Sequence, residues 1–157
     1  MTPLRIWLLA AIAVQFSCFA DVTKLPSERR KVLQDALRFH EILTVTNLPA
    51  SVVALCADQN RRLAEPGQQW EPTDVIRDPK LPRKRLIWAA KGGDYYVIHY
   101  ESGGRGHGYH VLVVQLENGH EKQSFLWHAV GEQLKDYKGF LEAVRQNKLH
   151  DELDYAR

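Results

Sequence analysis

Two tight-turn signals, Gly92-Gly93 and Asn118-Gly119, punctuate runs rich in Val, Ile, Tyr and Trp, and they constrain the second half of this chain more than any other feature. Gly and Asn accept the positive φ that two-residue hairpin turns demand, so each pair should join neighbouring antiparallel strands. The flanking runs predict four strands, Arg85 to Ala90, Tyr95 to Glu101, Tyr109 to Leu116 and Gln123 to Val130. Consecutive strands joined this way form an antiparallel meander.

The flanks of the meander read as helical. Ser27 is an N-cap residue type, and Val32, Leu33, Ala36, Leu37, His40, Leu43 and Thr44 follow at the spacing of one helix face. On that stripe His40 reads as a hydrogen-bonded residue at the core edge. A second helix is expected from Pro49, whose fixed φ suits a first turn, to Ala64. After the strands Asp136 caps a third helix, where Tyr137, Phe140, Leu141 and Val144 form one apolar face. Gly139 inside it marks a close approach to the sheet. The expected fold class is α+β: two N-terminal helices, a four-stranded antiparallel meander sheet, and a C-terminal helix packed on it.

Between the second helix and the first strand, Pro66, Pro72, Pro79 and Pro82 exclude a long regular element. Trp70, Val75 and Ile76 supply apolar anchors, so this segment is expected to pack as irregular structure.

Residues 1–20 speak to the compartment. Arg5, the apolar run Ile6 to Val14, and the small residues Cys18 and Ala20 before Asp21 have the layout of a secretory signal peptide, cleaved after Ala20. The run is short of the roughly 20 apolar residues that span a bilayer. No transmembrane anchor is expected once the leader is removed. A lipid anchor on Cys18 would call for a Leu-type residue three positions upstream, where Gln15 stands. Residues 21–157 then form a single globular domain, exported to the periplasm or the extracellular space. Cys56, in the apolar run Val52 to Ala57, is the one thiol left and is expected to be buried. Charge is nearly balanced, 21 basic against 19 acidic residues, which argues against a nucleic-acid partner.

Register places candidate site residues. A two-residue Asn118-Gly119 turn sets Leu112 across from Phe125 and His110 across from Trp127, and symmetric closure of Ser102 to Gly108 sets Tyr100 across from His110 and Ile98 across from Leu112. One sheet face then carries Tyr96, Ile98, Tyr100, His110, Leu112, Val114, Phe125 and Trp127. The other carries Leu86, Trp88, Val97, Val111, Val113 and Leu126. At the loop end of this second face His99, Glu101, Tyr109 and His128 would cluster. His99, Glu101 and His128 could hold a zinc ion and activate its water, which makes a metal-assisted hydrolase one reading. A hydrogen-bonded polar sheet end is the structural alternative, and the chain has no HExxH motif.

The connection Ser102-Gly103-Gly104-Arg105-Gly106-His107-Gly108 is the most unusual local composition. Its glycines let backbone approach a partner closely. It is not a dinucleotide fingerprint, because Tyr109 stands where a third glycine would fall and a strand follows. Lys80, Arg83, Lys84 and Arg85 form a basic run suited to a solvated strand edge or to an anionic polymer. There is no G-x-S-x-G elbow, and Cys56 is badly placed for nucleophilic work.

Helices before a meander, and a glycine loop carrying Ser102 and Arg105, are broadly similar to small envelope inhibitor or immunity proteins, some of which block lysozyme-like enzymes with a short Ser-Gly loop. The resemblance rests on Ser102 to Gly108, and it implies a protein partner in the cell envelope. Tyr and Arg are enriched at protein interfaces in general. The leading expectation is therefore an exported, non-enzymatic binding protein without a cofactor, using Tyr100, Ser102, Arg105, His107, Tyr109 and His110.

Overall fold

In a computed structural model the chain is described at residue 25, residues 27–117 and residues 122–151. The expected leader and the expected Asn118-Gly119 turn lie outside the described residues. Among the described residues the fold is α+β, with three α-helices and a six-stranded antiparallel sheet in the order β1-β2-β3-β4-β5-β6. Helix α1 (Ser27–Gln34) leads to β1 (His40–Ile42) and α2 (Ala50–Cys56). The meander follows as β2 (Lys84–Gly92), β3 (Tyr95–Ser102), β4 (Gly108–Glu117) and β5 (Lys122–Gly131). Helix α3 (Tyr137–Arg145) and β6 (His150–Asp151) close the described chain. No helix among the described residues is long and apolar enough to cross a membrane.

The four expected strands are the sheet's centre, and β1 and β6 extend it from four strands to six. The first expected helix is shorter than its stripe suggests. It stops at Gln34, a single 3-10 turn follows at Ala36–Arg38, and His40 pairs with Lys91 in the sheet. Leu37 and Leu43, counted on the apolar face, are exposed. What ends the helix is tertiary: the Phe39 ring lies over Gly92, where a Cβ would come within 2.7 Å of it, and stacks on Tyr137 at 4.6 Å. Placing Phe39 there draws residues 40–42 into extended pairing, which suits the β-branched Ile42.

Helix α2 likewise ends at Cys56, well short of Ala64. The Asp58 carboxylate accepts the backbone N–H groups of Asn60, Arg62 and Arg83 at 2.8, 2.9 and 3.2 Å. A short acidic side chain that satisfies nearby amides offers the backbone a turn in place of helix. In α3 the expected cap is present: Asp136 Oδ1 accepts the Gly139 amide at 2.7 Å. Gly139 does not face the sheet closely, since a Cβ there would meet only Asp136 Oδ1, at 3.4 Å.

Both sheet faces are buried. α1 and α3 cover one, where Leu33, Trp88, Val97, Val111, Val113, Trp127 and Phe140 pack together. α2 covers the other, against Leu86, Ala89, Ile98, Leu112 and Val114. Leu86 and Trp127 have each exchanged faces relative to the sequence register. A bulge between Leu86 and Trp88 turns Leu86 to the α2 side, and a second, between Val113 and Val114, does the same for the β4–β5 pairing. One extra residue reverses every side chain beyond it.

The β3–β4 register is as expected, with Tyr100 opposite His110 and Ile98 opposite Leu112. The β4–β5 register is not: Glu117 pairs with Lys122, and His110 faces Val130 rather than Trp127. The β2–β3 turn residues are Gly93 and Asp94, with Gly93 at φ 59°, one step later than Gly92-Gly93.

Candidate functional site

The glycine connection between β3 and β4 is clasped by the proline-rich segment. Gly103 N–H donates to Arg83 O at 2.9 Å and Gly104 N–H to Pro72 O at 3.4 Å, while Thr73 and Gly104 form a parallel bridge. Only glycine fits at 103, because a Cβ would sit 2.7 Å from the Pro72 carbonyl carbon. Gly104, at φ 155°, uses a backbone region that side chains disfavour. The segment therefore packs as irregular structure, through Trp70 and Glu71. Val75 and Ile76 are not its anchors, being 65% and 53% exposed.

Beneath the loop lies Glu101, 3% exposed. Its Oε1 accepts Arg85 Nε at 2.6 Å, and its Oε2 bonds His107 Nε2 at 2.7 Å. The Arg85 guanidinium covers the Trp70 ring at 5.2 Å, and the Trp70 and His107 rings meet edge-on at 5.4 Å. Tyr109 lies against His107 at 4.7 Å between ring centroids. A buried carboxylate is costly unless paired and hydrogen-bonded, and here one such group ties the loop's imidazole to β2.

His99 shares this face and is part of the core. Its Nε2 accepts the Leu134 amide at 2.9 Å, so Nδ1 carries the proton and donates to His110 O at 2.8 Å. Both bonds suit the neutral ring, and burial pushes its pKa down to about 4.

On the opposite face Ser102 Oγ bonds His110 Nε2 at 2.7 Å, and Tyr100 Oη bonds His128 Nε2 at 3.3 Å. The His110 ring stacks on Tyr100 at 4.9 Å and on His128 at 5.3 Å. Burial, then the neighbouring His128 and Lys84, lowers His110 to about 3; burial, then Lys84, lowers His128 to about 4. Ser102 and His110 have the contact of a nucleophile and base, but both are buried, and the nearby Gly103 and Gly104 amides are already donated to Arg83 and Pro72. The pair braces the ends of β3 and β4, and Gly108 makes room for it, a Cβ there meeting His110 Nε2 at 3.0 Å.

The expected group of His99, Glu101, Tyr109 and His128 is thus divided. His99, Glu101 and Tyr109 share a face, and His128 lies on the other. The connection after Glu117 is longer than two residues and the bulge adds one more, which shifts His128 by an odd number of positions. Among the described residues no group of three or more His, Cys, Asp or Glu is arranged to hold a metal ion. Of the residues expected to bind a partner, Tyr100, Ser102 and His110 are interior, Tyr109 is half-buried, and Arg105 and His107 are exposed. Arg105 makes no hydrogen bond or ion pair within the described residues. Sequence reasoning missed Trp70, Glu71 and Arg85 as parts of this end; the signal was a lone aromatic among prolines, facing a basic run that leads into β2.

Compared with protein-family models, curated proteins and solved structures, the chain matches none.

Proposed function

We propose that this is an exported, non-enzymatic binding protein that presents the tip of its glycine loop to a protein partner in the cell envelope, as an inhibitor or immunity-type protein does. The observation behind this reading is an exposed, unengaged Arg105 guanidinium carried on a clasped loop. Fixing a loop in advance lowers the entropy cost of binding, and arginine is over-represented among residues that dominate interfaces. Val75 and Ile76, three residues or fewer from the Thr73–Gly104 bridge, add exposed apolar area beside it. The leader at residues 1–20 supports export.

The test is affinity capture from an envelope extract with wild type and Arg105→Ala, both checked for equal thermal stability. A partner held by wild type and lost by the variant supports the reading. Identical partners and affinities remove the loop from it. Protein recovered from its native host should begin at Asp21; an intact amino terminus would overturn export.

A further inference from the structure

A groove of about 530 Å³ runs beside the loop, between Gly67–Glu71 and Arg77–Leu81, with Arg85 at one end. Its volume lies in the range of ligand-binding pockets. The most telling group in its lining is Glu71, only 5% exposed. Glu71 Oε2 accepts the backbone N–H of Arg77 at 3.1 Å. The other oxygen, Oε1, has no donor among the described residues and is not sealed from the groove. A mostly buried carboxylate oxygen without a donor is costly, and a ligand that brings a donor recovers that cost.

The remaining lining decides which kind of donor fits. Glu71 and Asp78 bring two negative charges, and Arg77 and Arg85 two positive ones, the Arg85 charge being already met by Glu101, so the lining carries little net charge to favour a cation or an anion. The Gln68 and Gln69 amides add further donors and acceptors. A hydroxyl group is both donor and acceptor and carries no charge, so a row of hydroxyls matches this lining. The groove is shallow and widely open, which suits an extended ligand lying across it.

We propose that this groove binds a neutral polyhydroxylated chain, an oligosaccharide, with Glu71 Oε1 accepting from a sugar hydroxyl and Arg77 donating to a neighbouring one. This site adjoins the partner-binding loop, sharing Trp70 and Arg85 with the contacts that hold His107, but the sugar reading does not rest on the loop's binding a protein.

Titration of residues 21–157 with maltotriose and with the trimer of N-acetylglucosamine, read by amide chemical shifts, tests it. At least one of the two should saturate, with the largest shifts at Gln68, Gln69 and Trp70. Glu71→Gln should weaken that binding by about tenfold or more, because a groove oxygen that accepted becomes a nitrogen that donates. Arg77→Ala, which leaves the backbone bond to Glu71 in place, should weaken it several-fold and keeps the test decisive if Glu71→Gln fails to fold. Absence of saturation at about 10 mM of either sugar, saturation unchanged in both variants, or preferential binding of free amino acids such as glycine would each overturn the proposal.

Discussion

The α-carbon of Gly103 is pressed against the Pro72 backbone so closely that a Cβ would stand 2.7 Å from its carbonyl carbon. Backbone cannot yield as a flexible side chain can, so Gly103→Ala must move either the loop or the proline-rich segment. A loss of about 2–3 kcal/mol in urea unfolding is expected, as for an overpacked core. Gly106→Ala is the matched control, with nothing within 4 Å of the added methyl; it should change stability by less than about 0.5 kcal/mol. Equal effects at the two positions would mean the loop is not clasped.

Three imidazoles at this end of the sheet make the fold acid-sensitive. Folded His99, His110 and His128 take up protons only near pH 4, 3 and 4, mainly because burial disfavours their charged forms. Once unfolded, each titrates near 6.5. Between those values the unfolded chain binds more protons, so stability is full above about pH 6.5 and falls as pH drops toward 4. The loss should be on the order of 3 kcal/mol between pH 6.5 and 5.5, with uptake of about three protons on unfolding. Unfolding free energies that stay flat across this range would contradict the neutral assignments.

How far the sequence carried the fold follows from which interactions are local. Strands β2 to β5 were legible because turn residues and alternation act within a few positions, and the N-cap of α3 because Asp136 and Gly139 are neighbours in the chain. The Tyr100–His110 pairing was legible too, since the loop closes symmetrically. What stayed hidden depends on distant partners. Phe39 over Gly92 converts a helical stripe into β1, and Asp58, reaching the Arg83 amide, helps hold the turn that ends α2. The bulge between Val113 and Val114 has no signature in the residues that make it, yet it moved His128 away from His99 and Glu101. The clasp of the glycine loop by Pro72 and Thr73 was equally invisible, because it joins segments some thirty residues apart.

Cys56 should be chemically silent in the folded protein. It is fully buried in α2, its thiol donates to Val52 O at 3.3 Å, and burial pushes its pKa up to about 12. The thiolate is the reactive form, so neither the charge state nor the access that alkylation needs is present. Iodoacetamide at pH 8 should leave Cys56 unmodified in native protein and label it fully in denaturant, as read by peptide mass. Rapid labelling of native protein would show that α2 opens readily.

Glu101 links the core to the exposed loop, so its replacement should act at a distance. In Glu101→Gln the Arg85 guanidinium loses its carboxylate and the Glu101 Oε2 hydrogen bond to His107 is disturbed. Breaking a fully buried pair costs about 3–5 kcal/mol. Arg85 and His107 side chains are 29% and 41% exposed, and water offsets part of that, leaving a loss of about 2 kcal/mol. The more specific consequence is local. With His107 held less firmly, amides from Arg105 to Gly108 should exchange with solvent faster, while those of Val97 and Val111 keep their protection. If the His107 bond is what transmits the effect, Glu101→Gln added to His107→Ala should accelerate loop exchange little further, because the double change removes the same contact. Additive acceleration would place the control of the loop in the Arg85–Trp70 stack instead.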